Sequence, residues 1–551
     1  MTPITLLALL ASDAVACGGF FCNTEPVDQS GEVILFSVDS EQETVTMHVQ
    51  VEFTGAAEDF AWVVPVPGTP ELGLSHSVVF DELLGKAAPS YWMQEDKSGC
   101  EDEFDGYDDW ADTDTDADAD ADTDADADAD NESGVTVLAT DTVGAYETTT
   151  LAADDSAALV EWLQDNDYDV PDQLDPYLEP YVADGMNFVA LKLAAGASSG
   201  ELAPLSLTYD GTTPVIPMQL TAIAATPDLP LTVYVLGDQR AVPDNYLHVT
   251  LHPLAIDYWS GGSNIDDVIR RGANEAGGHG FATELAVPAH DVSANFMGVS
   301  VYQAEKMRTH RDPYDWVTRL PVYDIEGTQE VLEVLRVHVP APSHVDETSF
   351  YNFPSYYQSE YSQITDFDAD AATDDLLEFE VQPRIEAQAL LDDAGWVTRM
   401  RSSLSPEEMT LDPMFVLNPD VGQVEGSMVL TTDYLCGEYG DSLYSDEARQ
   451  RLVYPHDQTV VIPSEEDLFA LGLTPFEWVQ REYDPAAALY IVQLGGSGEG
   501  VVVVDNGVGN DPDTAVNSAE GCACDSGAPS LAWFPAFGLL MLARRGGSAA
   551  D

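Results

Sequence analysis

The stretch Thr44-Val45-Thr46-Met47-His48-Val49-Gln50-Val51-Glu52-Phe53 alternates polar and apolar side chains without a break. A period of two places Val45, Met47, Val49, Val51 and Phe53 on one face of an extended chain, which is a half-buried β-strand. Phe60-Ala-Trp-Val-Val-Pro-Val66 reads as a second, fully apolar strand, ended by Pro65, Pro67 and Pro70. Outward from this pair, residues 187–193, 214–225, 231–236 and 246–251 carry further strand patterns, and a last strand lies near Ile491. Helical patterns are fewer and shorter: Val78 to Ala88, Asp155 to Gln164, and a segment opened by Ser263-Asn-Ile-Asp266 and closed by Gly277-Gly278. Ser405-Pro-Glu-Glu408 has the form of another helix start. The fold class expected is α+β, predominantly β, with antiparallel sheets in a sandwich-like arrangement and a few short helices.

Composition bounds the function before any motif does. The chain has 551 residues, with 99 Asp and Glu against 19 Lys and Arg, a formal charge of −80. Such a surface repels phosphate and anionic headgroups, which argues against a nucleic-acid partner and against docking to membranes by basic patches. Hydrophobic residues make up 45%, with 9 Trp, 23 Tyr and 19 Phe, so a large core is available and disorder throughout is excluded.

One stretch departs from this globular patterning. From Asp112 to Asp130 every second residue is Asp, with Ala or Thr between, and Glu101 to Glu132 holds 17 acidic residues and no Lys or Arg. Carboxylates on one side of an extended chain lie about 7 Å apart, inside one Debye length, so they repel and the insertion 101–133 is expected to be disordered. Carboxylates are ligands for Ca²⁺, but the Asp repeat 112–130 has no Gly to let it curl around one ion, so weak non-specific binding is the expectation and no cofactor is assigned. The remaining −63 is spread over the chain, which reads as an exported protein's adaptation to a salty or divalent-rich exterior.

The two ends point the same way. A short apolar run after Met1 is followed by Ala14-Val15-Ala16, a small-residue cleavage pattern, so residues 1–16 are read as a signal peptide and Cys17 becomes a candidate for lipidation. In an exported protein Cys17, Cys22, Cys100 and Cys436 are disulfide candidates with three connectivities open, among them Cys17 with Cys22 and Cys100 with Cys436. At the other end a polar linker, 505–520, leads to Gly521-Cys522-Ala523-Cys524, the apolar segment Leu531 to Ala543, and Arg544-Arg545. Those 13 residues span about 20 Å as a helix against a hydrocarbon core of about 30 Å, and the arginines hold their end on the cytoplasmic side. Cys motif, short apolar helix and Arg pair together resemble the MYXO-CTERM type of sorting signal. That resemblance implies envelope anchoring, with Cys522 and Cys524 as sorting or lipidation residues and a membrane protease as processing partner. The tail Gly546 to Asp551 beyond the arginines departs from that pattern.

No motif assigns chemistry. HExxH, GxSxG, the P-loop and a complete GxGxxG are all missing from the sequence. Gly495-Gly-Ser-Gly-Glu-Gly500 has the composition of a phosphate loop but lacks its Lys and spacing, and Val501 to Val504 follow it, so a hairpin is expected. His248 and His252 flank Thr250 on one face of a strand, which makes a possible metal pair without a third ligand, and structural histidines are the expectation. No catalytic, cofactor-binding or metal residue is assigned.

Several stretches nevertheless combine distinctively. They are Cys17-Gly-Gly-Phe-Phe-Cys22, Pro26-Val-Asp-Gln29, Met47-His-Val-Gln50, Phe60-Ala-Trp-Val-Val-Pro-Val-Pro67, Asn274-Glu-Ala-Gly-Gly278, Phe281-Ala-Thr-Glu284, Val397-Thr-Arg399 and Ser405-Pro-Glu-Glu-Met-Thr-Leu-Asp-Pro413. Together they resemble the DUF2330 family of secreted bacterial proteins over about residues 17–420, with the acidic stretch as an insertion and 421–504 as a β-rich extension. The resemblance implies that Cys17 and Cys22 are framework residues, and it brings no activity or ligand. The expected function is that of an exported, surface-anchored, non-enzymatic envelope or binding protein. The alternatives are an extracellular hydrolase with scattered active-site residues and a Ca²⁺-dependent adhesion module.

Overall fold

The computed structural model of the protein describes residues 19–21, 32–50, 61–96, 134–193, 204–293, 300–434 and 450–507, except 169, 171, 172, 224 and 326. All six cysteines, the leader 1–16, the insertion 101–133 and the segment 521–551 lie outside the described residues.

Two sheets carry the body. The smaller has the order β1-β4-β9-β8-β7. Its strands are β1 (Gly19–Phe21), β4 (Ala61–Val66), β9 (Asn187–Leu193), β8 (Tyr146–Ala153) and β7 (Val135–Val143), all antiparallel. The larger is built from β2 (Glu32–Asp39), β3 (Thr44–Val49), β5 (Glu71–Leu74), β10 (Leu205–Asp210), β11 (Leu229–Gly237), β13 (Leu247–Leu251), β14 (Gly280–Pro288), β15 (Trp396–Leu404), β20 (Ala488–Gln493) and β21 (Val501–Asp505). Its order is β21-β20-β13-β14-β15-β11-β2-β3-β10-β5, antiparallel except for the pairs β11–β2 and β13–β14. A third sheet joins β6 (Ser90–Asp96) to β17 (Ser427–Tyr434), β18 (Gln450–Val453) and β19 (Thr459–Ile462), and β12 (Ala241–Pro243) pairs with β16 (Phe415–Leu417). Residues 421–504 therefore contribute strands both to the third sheet and, through β20, to the large one.

The first two sheets pack face to face. Ile34 and Phe36 of β2, Met47 of β3, Trp62 and Val64 of β4, Val189 and Leu191 of β9, and Val233 of β11 share one buried cluster. The alternating β3 thus turns Val45, Met47 and Val49 inward, as its period demands. The unbroken apolar run of β4 has a different cause. Trp62 and Val64 face the sheet partner, while Ala61 and Val63 face a second core under the helices Ser156–Asp165 and Asp175–Ala183. Both faces are covered, so neither favours polar residues.

Several expectations hold to within a residue or two: the helix after the Asp155 cap, strand β9, and the hairpin β20–β21 around the glycine-rich turn. Others are corrected. Strand β4 continues through Pro65, which pairs with Phe188; β1 covers only Ala61 to Val63, so beyond it that edge of β4 requires no N–H. Residues 214–225 are not a strand. Val215 makes a single bridge to Met414 and Met218–Thr221 forms a helical turn, because Pro214 and Pro217 cannot donate to a ladder. Ser405-Pro-Glu-Glu408 forms a turn without a helix: Glu408 Oε2 accepts from Ser405 N at 2.8 Å, but the Ser405 hydroxyl accepts from Asp228 N at 3.1 Å and leaves no first turn capped. The helix Ile265–Glu275 is preceded by Asn264, not capped by Ser263, whose hydroxyl bonds Ser260.

The outer face of the large sheet meets helices. Ser77–Lys86 and Gln382–Asp392 pack on Leu35, Tyr234, Leu285 and Val397. Beyond them residues 301–381 form a helical layer with its own core around Trp316, Phe350 and Tyr361. Buried Glu380 joins this layer to the sheet helices, because it pairs with Arg384 at 2.6 Å and Arg384 also binds Glu82.

Candidate functional site

The histidines singled out in the sequence do not converge. His248 lies in β13 with its ring buried, and Nε2 faces an amino nitrogen of the Arg240 guanidinium at 3.2 Å. Burial and then the Arg240 charge push its pKa down to about 3, so the ring is neutral and its Nε2 lone pair accepts from the arginine. His252, just past the strand end, turns Nδ1 to the Leu254 amide at 3.2 Å and caps the turn Pro253–Ala255; burial holds it at about 4. His279 bonds the Glu408 carbonyl at 2.9 Å and packs edge-on against Tyr246. A metal at His248 would have to displace a guanidinium. Among the described residues no three His, Cys, Asp or Glu side chains gather to hold a metal ion.

The carboxylates of the distinctive stretches converge on internal partners. Glu284 is the extra residue of a β-bulge, for Thr283 pairs with Met400 and Leu285 with Arg399. Its carboxylate is buried, 1% exposed, and lies 3.0 Å from Arg399 Nε and 3.7 Å from Arg401. Burial raises the Glu284 pKa and the two guanidiniums oppose that rise. Arg401 also reaches Asp266 at 2.6 Å, and Arg399 lies over the Tyr234 ring. Glu275, near the end of the helix Ile265–Glu275, accepts from the amides of Ala487 and Ala488, both at 2.9 Å, and so fixes the start of β20.

Asp412 lies beside a small cavity. The space is about 10 Å³, room for about one water, lined by Met47, Pro65, Tyr181, Tyr209 and Asp412 among others. Asp412 Oδ1 accepts from Gln219 N at 2.9 Å and from the Tyr181 hydroxyl at 3.1 Å. Burial pushes its pKa up to about 6 against these bonds. Asn245 and Tyr246 hold the adjoining backbone through the carbonyls of Asp412 and Leu411. A cavity of this size admits water but no substrate.

One constellation carries no sequence motif. His310 Nδ1 meets Asp315 Oδ2 at 2.6 Å and its Nε2 meets the Tyr323 hydroxyl at 3.1 Å, with Arg319 on the other carboxylate oxygen at 3.3 Å. The chain Asp–His–hydroxyl has the order of a general-base relay, with a phenol in the terminal place. Only the i, i+5 spacing of His310 and Asp315 marks it in the sequence, and that spacing is common to many surface pairs.

The sequence matches the model of a family described as an uncharacterized protein conserved in bacteria (DUF2330) over residues 11–352. The stretches around Arg399 and Ser405 lie beyond the matched residues. No curated protein and no solved structure matches the chain.

Proposed function

The chain belongs to the DUF2330 family of proteins conserved in bacteria, and we propose that it is an exported, cell-surface-anchored, non-enzymatic envelope protein whose folded body is a binding scaffold. The observation that carries this reading is the internal use of its carboxylates. Glu275, Glu284, Glu408 and Asp412 each bind backbone amides or buried guanidiniums of the same chain. Residues so engaged rigidify a scaffold; a catalytic carboxylate has to face substrate. The leader pattern before Cys17 and the Cys522–Arg545 segment support export and anchoring, and a membrane protease acting near Cys522 or Cys524 is the partner this reading requires. Among the described residues no helix is long and apolar enough to cross a membrane, so anchoring rests on the C-terminal segment.

Fractionation of cells making the full chain or the Cys522→Ala, Cys524→Ala variant tests the anchoring. Release of the variant from the envelope, or loss of processing, is expected; unchanged retention and processing overturns it. The non-enzymatic reading is tested on ester, peptide, glycoside and phosphoester substrates, with no turnover expected. The hydrolase alternative draws on the His310 relay, and turnover lost in His310→Gln would establish it instead. A melting temperature raised by Ca²⁺ would favour the adhesion module.

A further inference from the structure

Arg240 sits between β11 and β12 with 6% of its surface exposed. One amino nitrogen donates to the Gly422 carbonyl at 2.5 Å and the other faces neutral His248 at 3.2 Å. Its Nε is buried and has no hydrogen-bond partner. No carboxylate pairs with it among the described residues, although the chain carries 99. Arg399, equally buried, has Glu284 at 3.0 Å, and the half-buried Arg384 has both Glu82 and Glu380. Leaving a buried cation without a counter-charge is strongly unfavourable, and a protein so rich in carboxylates has no shortage of internal ones. Both groups that Arg240 does contact are neutral acceptors, which solvate the guanidinium without neutralising it.

Nε itself is closed to solvent, so an ion reaches it only where the neighbouring loop yields. Gly422, which accepts from Arg240, is itself exposed, so the guanidinium lies one residue beneath the surface. Asn418 donates from its amide to the Arg240 carbonyl at 2.8 Å, and its side chain binds the carbonyls of Gly495 and Gly498. Asp420, the nearest acid in this loop, has its Oδ2 on the Gly498 amide at 2.6 Å. That bond also removes the glycine-rich turn as a phosphate cradle, because a carboxylate of the chain already occupies one of its amides. The free N–H groups belong to Arg240.

We propose that Arg240 is the centre of a binding site for one small monovalent anion, a halide or a small carboxylate, held at the Nε side of its guanidinium. Nε–H with an adjacent amino hydrogen forms the planar edge that bridges a carboxylate or cradles a halide. The general acidity of the surface excludes large polyanions, while one buried site takes up a single charge. The ion neutralises Arg240 and fastens the loop 418–422 to β12, and it stabilises the folded state by mass action.

The test uses the full chain in sodium gluconate at constant ionic strength, with gluconate replaced stepwise by chloride, bromide or acetate. The melting temperature of the wild type is expected to rise by about 2–5 °C toward saturation with at least one of the three, and that of Arg240→Gln to stay flat. Chloride and bromide acting alone assign a halide; acetate acting alone assigns a carboxylate. Equal rises in both proteins, or no rise in the wild type, overturn the site. If Arg240→Gln does not fold, crystals of the wild type soaked in bromide or in bromoacetate decide, with an anomalous peak expected at Arg240 Nε. No peak there overturns the proposal, as does a peak without any anion-specific rise in solution, which would mean an adventitious ion only.

Discussion

Glu284 and Arg399 meet at 3.0 Å across the neighbouring strands β14 and β15, at the bulge that leaves Glu284 without a ladder partner. In an unbroken ladder Glu284 would stand directly opposite Arg399; the bulge gives that place to Leu285 and leaves Glu284 beside it, within reach of both Arg399 and Arg401.

Removal of one partner leaves the other charge buried. Glu284→Ala is expected to destabilise the fold by about 3–5 kcal/mol, since Arg399 and Arg401 lose their shared carboxylate. Glu284→Met with Arg399→Met is expected to be less destabilised than the sum of the single variants. Denaturant midpoints in a double-mutant cycle check this, and additive effects would show that the two residues act independently.

Asp412 imposes a pH dependence of a particular sign. Its folded-state pKa is raised to about 6 from 3.8, so its contribution is fully present below pH 3.8 and is lost as the pH rises through 6. Asp412→Asn, which carries no charge, is expected to be more stable than the wild type by about 2 kcal/mol at pH 7 and to lose that advantage by pH 4. Urea midpoints of both proteins from pH 4 to 7 measure the difference, in which the other acids cancel.

His248 acts in the opposite direction. Its folded pKa is lowered to about 3 from 6.5, so its contribution is present above 6.5 and is lost as the pH falls through 3. Its ring is expected to remain neutral from pH 8 to pH 5, with no titration step in its imidazole NMR signals. A midpoint near 6.5 would mean that the ring is not buried beside Arg240.

Gly278 closes the helix Ile265–Glu275 at a φ of +79°, and a Cβ there would stand 2.8 Å from the Glu408 side chain. Gly278→Ala is expected to lose about 1–3 kcal/mol through backbone strain and displacement of Glu408 from the Ser405 amide. Gly277, with φ of +75° and open space around it, is expected to lose less on the same change. Thermal melts of the two variants rank them.

Local patterns were legible where one segment settles its own environment. The alternation of β3, the Asp155 cap, the end of a helix at Gly277 and Gly278, and the hairpin after Gly495 follow from a few adjacent residues. The helical layer 301–381 was not delineated, because its helices are short and joined by 3₁₀ turns, so few show a full apolar period. Ser405 misled for a related reason: its box is intact in sequence, yet its hydroxyl is taken by Asp228, 177 residues away.

The sequence alone determined a strand-rich α+β body and the acidity of its surface, because periodicity and charge are carried by neighbouring residues. Which charges are neutralised was decided only by the tertiary structure. Glu284 and Arg399 are distant in the chain and meet at a bulge, while Arg240 is buried beside a neutral histidine with no acid paired to it among the described residues. Coulomb interaction and desolvation act through space, over a few ångströms, and no spacing along the chain records which groups the fold brings that close.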